Sequence, residues 1–343
     1  SDEFHNVSIL DKEAVLHLAQ ELNIDGILSF GVDPGVVTAA YVAEQMGLSF
    51  QCSYNAACIL QDKSRFRQFL KDNNFNVPNA KGYSSKEAAL ADTEYYNWPV
   101  IVKPVDSAGS KGVMRVDEIS ALPSAIDYAL SESHNGHFII EDFLEKEGNS
   151  SDCDSFTVDG ELVFCSFNDQ HFDPKAINPY TPAAFSWPST MPQWAQEELR
   201  SELQRLMTLL NVKTGVYNIE TRLCKNGKPY IMELSPRGGG NRLSEMMKYV
   251  SGQDLIDSCV RTAVGDPIDE IHRPIYDGYW AEIILHSECD GVFQSIEIDK
   301  TVEECFLIKK DIWVKAGEKV QGFTGANTTI GTLVLRFNTN EEI

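Results

Sequence analysis

Hydrophobic and polar positions alternate on both sides of Asn226-Gly227, over the stretch VKTGVYNIETRLCKNGKPYIMELSPRGGGNR at residues 212–242. An Asn-Gly pair between two alternating runs predicts a two-residue hairpin, because a type I′ turn needs positive φ at both central positions. Lys225 then faces Lys228. Counting outward, Glu220 stands opposite Glu233, Asn218 opposite Ser235 and Val216 opposite Arg237. Directly opposed Cβ atoms lie about 4.5–5.5 Å apart. Two carboxylates at that spacing repel unless a cation sits between them.

The rest of the chain is patterned around this hairpin. Residues 12–22 read as an amphipathic helix behind Asp11, Ile27–Phe30 as a short strand, and residues 34–46 as a helix with Pro34 in its first turn. Asp62 caps KSRFRQFLKDN, which Val77-Pro78 ends, and Ser85 starts another short helix. WPVIVKPVDSAGSKGVMRV predicts strand, small-residue loop and strand, followed by a helix over 118–133 and the strand HFIIEDF. Such a compact α+β unit has the size of a lid. Asp159-Gly160 predicts a hairpin joining Cys153–Val158 to Glu161–Phe167. The Pro-rich, aromatic stretch 168–195 reads as a long loop with a binding job, its lone His171 as an ordinary structural histidine. Helices are expected over 192–210 and near 252–265, and short strands from Gly278 onward.

Composition narrows the classes. At 343 residues the chain holds two or three subdomains, and 43% apolar with 23% charged residues is ordinary for a globular protein. A net charge of −22 argues against sequence-independent nucleic-acid binding and against an anionic membrane surface. No apolar run reaches the ~20 residues that cross a bilayer, and no signal peptide is visible. Eight cysteines without CxxC or metal-site spacing fit a reducing, cytoplasmic setting. The opening residues, with no Met and no first strand, lead us to expect further chain before Ser1.

Candidate chemistry follows from residue types. Glu220 and Glu233, with Asn218 and Ser235 beside them, offer oxygens to Mg²⁺ (or Mn²⁺), which takes one or two carboxylates and shares its other positions with phosphates and water. Lys103 ends a strand before Ser107, Gly109, Ser110 and Gly112, small residues whose backbone N–H groups could turn to an anion. Lys63 opens a helix. Glu141, Asp142, Phe143 and Leu144 end an apolar strand and could present backbone groups to a base edge. Arg237 precedes three glycines that allow close backbone approach to a ligand.

Taken in order, DKSRFRQFL, VIVKPVDSAGSKGV, FIIEDFL, NIETRL and YIMELSPRGGG resemble the ATP-grasp family of ATP-dependent carboxylate–amine ligases. The resemblance implies an ATP-grasp fold, α/β and α+β, in which two α+β subdomains grip ATP. Residues 1–60 would be the end of a preceding parallel α/β domain, 61–143 the N-terminal part with the lid, 144–275 the metal-bearing subdomain and 276–343 a small C-terminal β element. It implies that Lys63 and Lys103 hold ATP phosphates under the loop 107–112, that Glu141 and Leu144 contact adenine, and that Glu220 and Glu233 hold Mg²⁺. Arg237, with Lys103, would act on the transferred phosphoryl group or the substrate carboxylate. Many members carry Asn where this chain has Ser235, so Asn218 is left to supply the missing oxygen. The implied reaction makes an acyl phosphate from a small carboxylate and ATP, which an amine then attacks. The PRGGGN version is nearer to amino-acid ligases than to full carbamoyl-phosphate synthases, which are longer and duplicated, or to biotin carboxylases. A non-catalytic ATP-binding subunit and a small-molecule kinase are the rival readings, and a homodimer is the commonest assembly.

Overall fold

In the computed structural model, which describes residues 3–107 and 109–343, the described residues build three sheets of four or five strands around one cleft, and a separate two-stranded sheet. Ser1, Asp2 and, within the small-residue loop, Ala108 lie outside the described residues.

The chain opens on helices. α1 (Lys12–Leu22) starts at Asp11, whose side chain accepts the Ala14 N–H, and α2 (Val36–Met46) is entered through a 3₁₀ turn at Asp33–Gly35. Residues 27–30 run without a ladder partner and make no strand, contrary to the pattern. A strand needs a neighbour to satisfy its backbone, and here a bond from the Gly31 N–H to the Gly238 carbonyl ties the stretch to the rest. α3 (Tyr54–Gln61), which the pattern does not reveal, leads directly into α4 (Lys63–Asp72), capped by Asp62 as expected.

The first sheet and its helices are β1 (Ala80–Tyr83), α5 (Lys86–Ala91), β2 (Val100–Pro104), β3 (Met114–Val116), α6 (Leu122–Ser131) and β4 (Phe138–Asp142). Its antiparallel order is β1-β4-β2-β3, with α6 burying Leu122, Ala125, Ile126 and Ala129 on one face. This is the expected lid-sized unit.

Next come β5 (Ser151–Val158), β6 (Glu161–Cys165), β7 (Asp169–Phe172), β8 (Pro182–Trp187), α7 (Gln193–Leu209), β9 (Gly215–Leu223) and β10 (Pro229–Ser235). Asp159 and Gly160 both have positive φ (49° and 83°), the type I′ pattern that Asp-Gly predicts. The second sheet runs β10-β9-β5-β6. Along β9 the burial alternates cleanly: Tyr217, Ile219 and Leu223 enter a core with α3, α4 and α7, while Asn218, Glu220 and Arg222 stay on the open face. Leu199, Leu203 and Leu206 of α7 meet that core at helical spacing, each worth about 2 kcal/mol of burial.

The remaining elements are α8 (Leu243–Ser251), α9 (Leu255–Val264), β11 (Tyr279–Leu285), β12 (Gly291–Val292), α10 (Lys300–Cys305), β13 (Leu307–Ile312), β14 (Lys319–Val320) and β15 (Gly331–Phe337). The third sheet corrects two expectations. Its order, β13-β15-β11-β8-β7, takes two strands from 168–195, which is therefore not a structureless loop, and three from the C-terminal part, which is not a sheet apart. The period-2 signal of β8 is hidden by its prolines and by the need for a partner far along the chain. α8 also escapes the pattern, because its first residue follows a glycine run and Arg242 at its N-cap position carries no capping side-chain bond.

Glu282 on β11 is wholly buried, and neither carboxyl oxygen has a hydrogen-bond partner. Burial pushes its carboxyl up to about 8; Arg242 pulls the other way and Glu245 adds to the push. An acid raised above its unfolded value stabilises the fold fully at pH below that ordinary value. That stability is lost as pH rises from there to about 8. Glu282→Gln is expected to raise Tm at pH 8 by about 3 °C and to flatten the fall of Tm between pH 5 and 8, which scanning calorimetry on both proteins measures.

Candidate nucleotide and metal site

The site starts at the hairpin between β9 and β10. Its turn is not the expected one: of Asn226 and Gly227 only the glycine has positive φ (75°), and the Cys224 carbonyl accepts the Gly227 N–H at 2.8 Å. The loop is three residues long, a type I turn closed by a left-handed glycine. Lys225 therefore does not face Lys228, and the ladder begins one residue out of the expected register, with Pro229 against Leu223 and Ile231 against Thr221. A bulge at Met232 then moves the register back, so that Glu233 pairs with Glu220 and Ser235 with Asn218. The bulge also lets both Ile231 and Leu234 reach the core. The expected carboxylate pair is present, by way of two irregularities that cancel. Arg237 lies beyond the end of β10, and Val216 pairs instead with Phe156 of β5.

Continuing across the sheet, Asp152 of β5 pairs with Glu220, giving a row Glu233–Glu220–Asp152 over three strands. All three line a cleft of about 520 Å³ between the first and second sheets. Burial and the Glu220 charge push the Asp152 carboxyl up to about 7, against the Asn218 hydrogen bond and the Arg237 charge. The row is linear: among the described residues no three His, Cys, Asp or Glu side chains converge on one metal position. Asp154, one step along β5, is fully buried and accepts the Gly239 N–H at 2.8 Å, the Asn218 amide at 3.2 Å and the Ser244 hydroxyl.

Lys63, Lys103 and Arg67 each meet a carboxylate at the cleft. Lys63 lies 3.7 Å from Glu233, and its Nζ donates to the Ser107 carbonyl at 3.0 Å. Lys103 Nζ sits 2.8 Å from Glu141 Oε2, and Arg67 Nε sits 2.8 Å from Glu141 Oε1, though not aligned as a hydrogen bond. Burial raises the Glu141 carboxyl, and the two cations outweigh it and hold it at about 2. Burial, with Glu141 opposing and Arg67 and Lys63 adding, keeps the Lys103 ammonium below its ordinary value. Arg67 also donates from Nη1 to the carbonyl of the bulge residue Met232 at 2.8 Å.

Several expected contacts are placed differently. The Glu141 side chain is closed into its ion pairs, not open to a base. The Asp142 carboxylate accepts from the Asn97 N–H and side chain and from Asn79; the Phe143 N–H donates to the Pro99 carbonyl; and the Leu144 carbonyl accepts from Arg222. These four residues do line the cleft. The Ser235 hydroxyl donates to Asp33 and accepts from Gln61, and Asn218 donates its amide to Asp152 and Asp154, so neither is turned to the Glu220–Glu233 pair as a free ligand. Arg237 forks onto Asp33, Nε to Oδ1 at 2.8 Å and Nη2 to Oδ2 at 2.6 Å, and also donates to the Gly238 carbonyl. Burial opposes the Asp33 charge, but Arg237 and the Ser235 hydroxyl prevail and lower its pKa. Of the glycines after Arg237, Gly238 and Gly239 admit protein, whereas Gly240 faces open space and lines the cleft. A Cβ on Gly239 would come within 3 Å of Leu243, Asn218 and Asp154.

The lid loop behaves as small residues allow. Gly109, Ser110 and Gly112 have positive φ (68°, 58° and 70°), and Ser107, Gly109 and Ser110 line the cleft. His171 hydrogen-bonds Ser186 between neighbouring strands, the ordinary structural role. Asp33, Arg67 and Asp152 are the site residues the sequence left hidden. Arg67 alone carried a signal, as a basic residue inside a helix that buries its neighbours Phe66 and Leu70.

A lid sheet and a base sheet face one cleft across lysines, a small-residue loop and paired glutamates, the arrangement that the ATP-grasp resemblance implies. Residues 96–245 match the ATP-grasp domain family. The chain is 24% identical over 221 residues to the carbamoyl phosphate synthase large chain, C-terminal section, of Aquifex aeolicus, covering 63% of this chain and 39% of that one. It is 24% identical over 291 residues to the arginine-specific large chain of Bacillus subtilis, covering 83% and 27%. It thus spans well under half the length of these relatives. Among solved structures it resembles an L-amino acid ligase from Bacillus licheniformis, with a TM-score of 0.79 at 20% identity over 97% of this chain and 81% of that one. It also resembles phosphoribosylglycinamide synthetase from Anaerococcus prevotii, with a TM-score of 0.72 at 18% identity over 100% and 85%.

Arg67→Met removes one cation from a buried carboxylate and the donor from the bulge. The expected loss is about 3 kcal/mol in urea unfolding, together with weaker nucleotide binding in calorimetric titration.

Proposed function

We propose that the protein is an ATP-dependent ligase that activates a small carboxylate as an acyl phosphate and joins it to an amine. The observation that carries this reading is the Glu233–Glu220 pair facing one cleft with Lys63 and Lys103.

The residues suit Mg²⁺ or Mn²⁺. Glu220 and Glu233 are partly open to the cleft, and burial next to Glu220 already raises Asp152, so the row carries more negative charge than the protein offsets. Two carboxylates without a full protein cage are the usual provision for Mg²⁺ on a polyphosphate, and when bound it would neutralise phosphate charge.

Lys63, Lys103 and the N–H groups of the lid loop would bind the phosphates. Phe143 and Leu144 line the wall that would receive the base. An oxygen of the substrate carboxylate attacks the γ-phosphorus; the bond to the ADP oxygen breaks, and ADP leaves with its electron pair. The amine then attacks the acyl carbon, a C–N bond forms, and phosphate departs with the electrons of the C–O bond while the amine releases a proton. Nothing in this sequence needs a protein nucleophile: positioning and positive charge do the work. With the lid down, water is kept from the acyl phosphate. Arg237, pinned by Asp33, keeps N–H groups in a cleft-lining guanidinium and would orient the substrate carboxylate. One observation favours a second reading, a nucleotide-binding module without turnover: Ser235 and Arg237 are both committed to Asp33.

ADP release is to be measured with ATP and Mg²⁺ against amino acids and other small carboxylates, with and without amines. The expected outcome is amine-dependent turnover that drops about 100-fold or more in Glu233→Gln. Nucleotide binding without turnover on any pair would establish the module instead.

A further inference from the structure

Three stretches far apart in the chain meet above the cleft at Asn178. Its amide Nδ2 donates to the carbonyl of Ser110 in the lid loop at 3.3 Å and to the carbonyl of Thr324 at 3.3 Å. Its N–H donates to the Phe323 carbonyl at 3.2 Å, and its own Oδ1 accepts the Tyr180 N–H at 3.0 Å. The lid answers from its side: the Ser110 hydroxyl donates to the Tyr180 carbonyl at 3.0 Å. The segment bearing Asn178 is itself fastened to the third sheet, where His286 stacks on Phe323 with ring centroids 4.1 Å apart and reaches Asp173 at 3.1 Å. Tyr180 and Asn327 line the cleft just beneath this junction.

We propose that Asn178 is a positioning residue, a latch that holds the lid loop over bound nucleotide by fastening it to the third sheet. The proposal rests on the nucleotide-binding reading above. The lid loop is bonded here by one half-buried side-chain amide and one hydroxyl at the surface. Each such bond contributes little in net terms, so the latch can open for exchange and still slow escape when closed. It joins the nucleotide side of the cleft to the wall formed by Tyr180 and Asn327. A molecule lying against that wall is therefore enclosed by the same closure that traps the nucleotide.

The test follows release of a fluorescent N-methylanthraniloyl-ADP with Mg²⁺ from the full chain by stopped flow. Asn178→Ala and Asn178→Asp are both expected to release it about tenfold faster with an unchanged association rate and Tm, and to lower hydrogen-exchange protection of amides 109–112. The aspartate keeps the acceptor for the Tyr180 N–H and replaces the two donors with an oxygen that repels the Ser110 and Thr324 carbonyls. Fast release from the alanine variant with wild-type release from the aspartate would make Asn178 a turn residue and overturn the latch. Wild-type release from both variants would overturn it too. Failure of the unmodified protein to bind the probe would instead remove the nucleotide reading on which it rests.

Discussion

One arginine connects the two sheets that make the cleft. Arg67, 3% exposed and carried on α4, lies against the Glu141 carboxylate of the first sheet and donates to the Met232 carbonyl of the second. The second contact matters because a bulge leaves a backbone group outside the ladder, and a buried carbonyl without a partner is costly. By satisfying it, Arg67 stabilises the register change that sets Glu233 against Glu220. By pairing with Glu141, it also holds one of the two lysines expected at the phosphates, since Lys103 shares that carboxylate. The Glu233–Glu220 pairing and the placement of Lys103 therefore depend on a single side chain.

A chain with net charge −22 nevertheless gathers cations at one cleft. Lys63, Lys103 and Arg237 converge on the cleft, each beside a carboxylate that holds it in place. Such pairing lowers the reorganisation needed when an anion enters, because the cations are already oriented. The acidic surplus lies elsewhere, where water screens it.

Much of this was legible in the sequence, for local reasons. Asp11, Asp62 and Ser85 as helix caps, Asp159-Gly160 as a type I′ turn and the alternation along β9 are decided by near neighbours. The pairing of Glu220 with Glu233 was also readable, although the count that reached it assumed the wrong turn and was rescued by the Met232 bulge. Long-range partners were not readable. That Arg237 would fork onto Asp33, that Asp152 would extend the carboxylate row, and that β8 would pair with β11 depend on segments brought together only in the folded chain. Gly238 and Gly239 illustrate the same limit: their smallness was visible, but that it admits Phe30, Asp154 and Asn218 was not.

The pairing of β8 with β11 also bears on the order in which the molecule is completed. Trp187 meets Trp280 across that seam, so a chain emerging from the ribosome holds β8 long before its partner exists. Contacts between such distant positions form late, since closing the intervening loop costs entropy before anything is gained. The wall carrying Tyr180 is thus among the last parts of the cleft to be fixed in position. During synthesis the two gripping sheets can be assembled while the chamber between them is still open on that side.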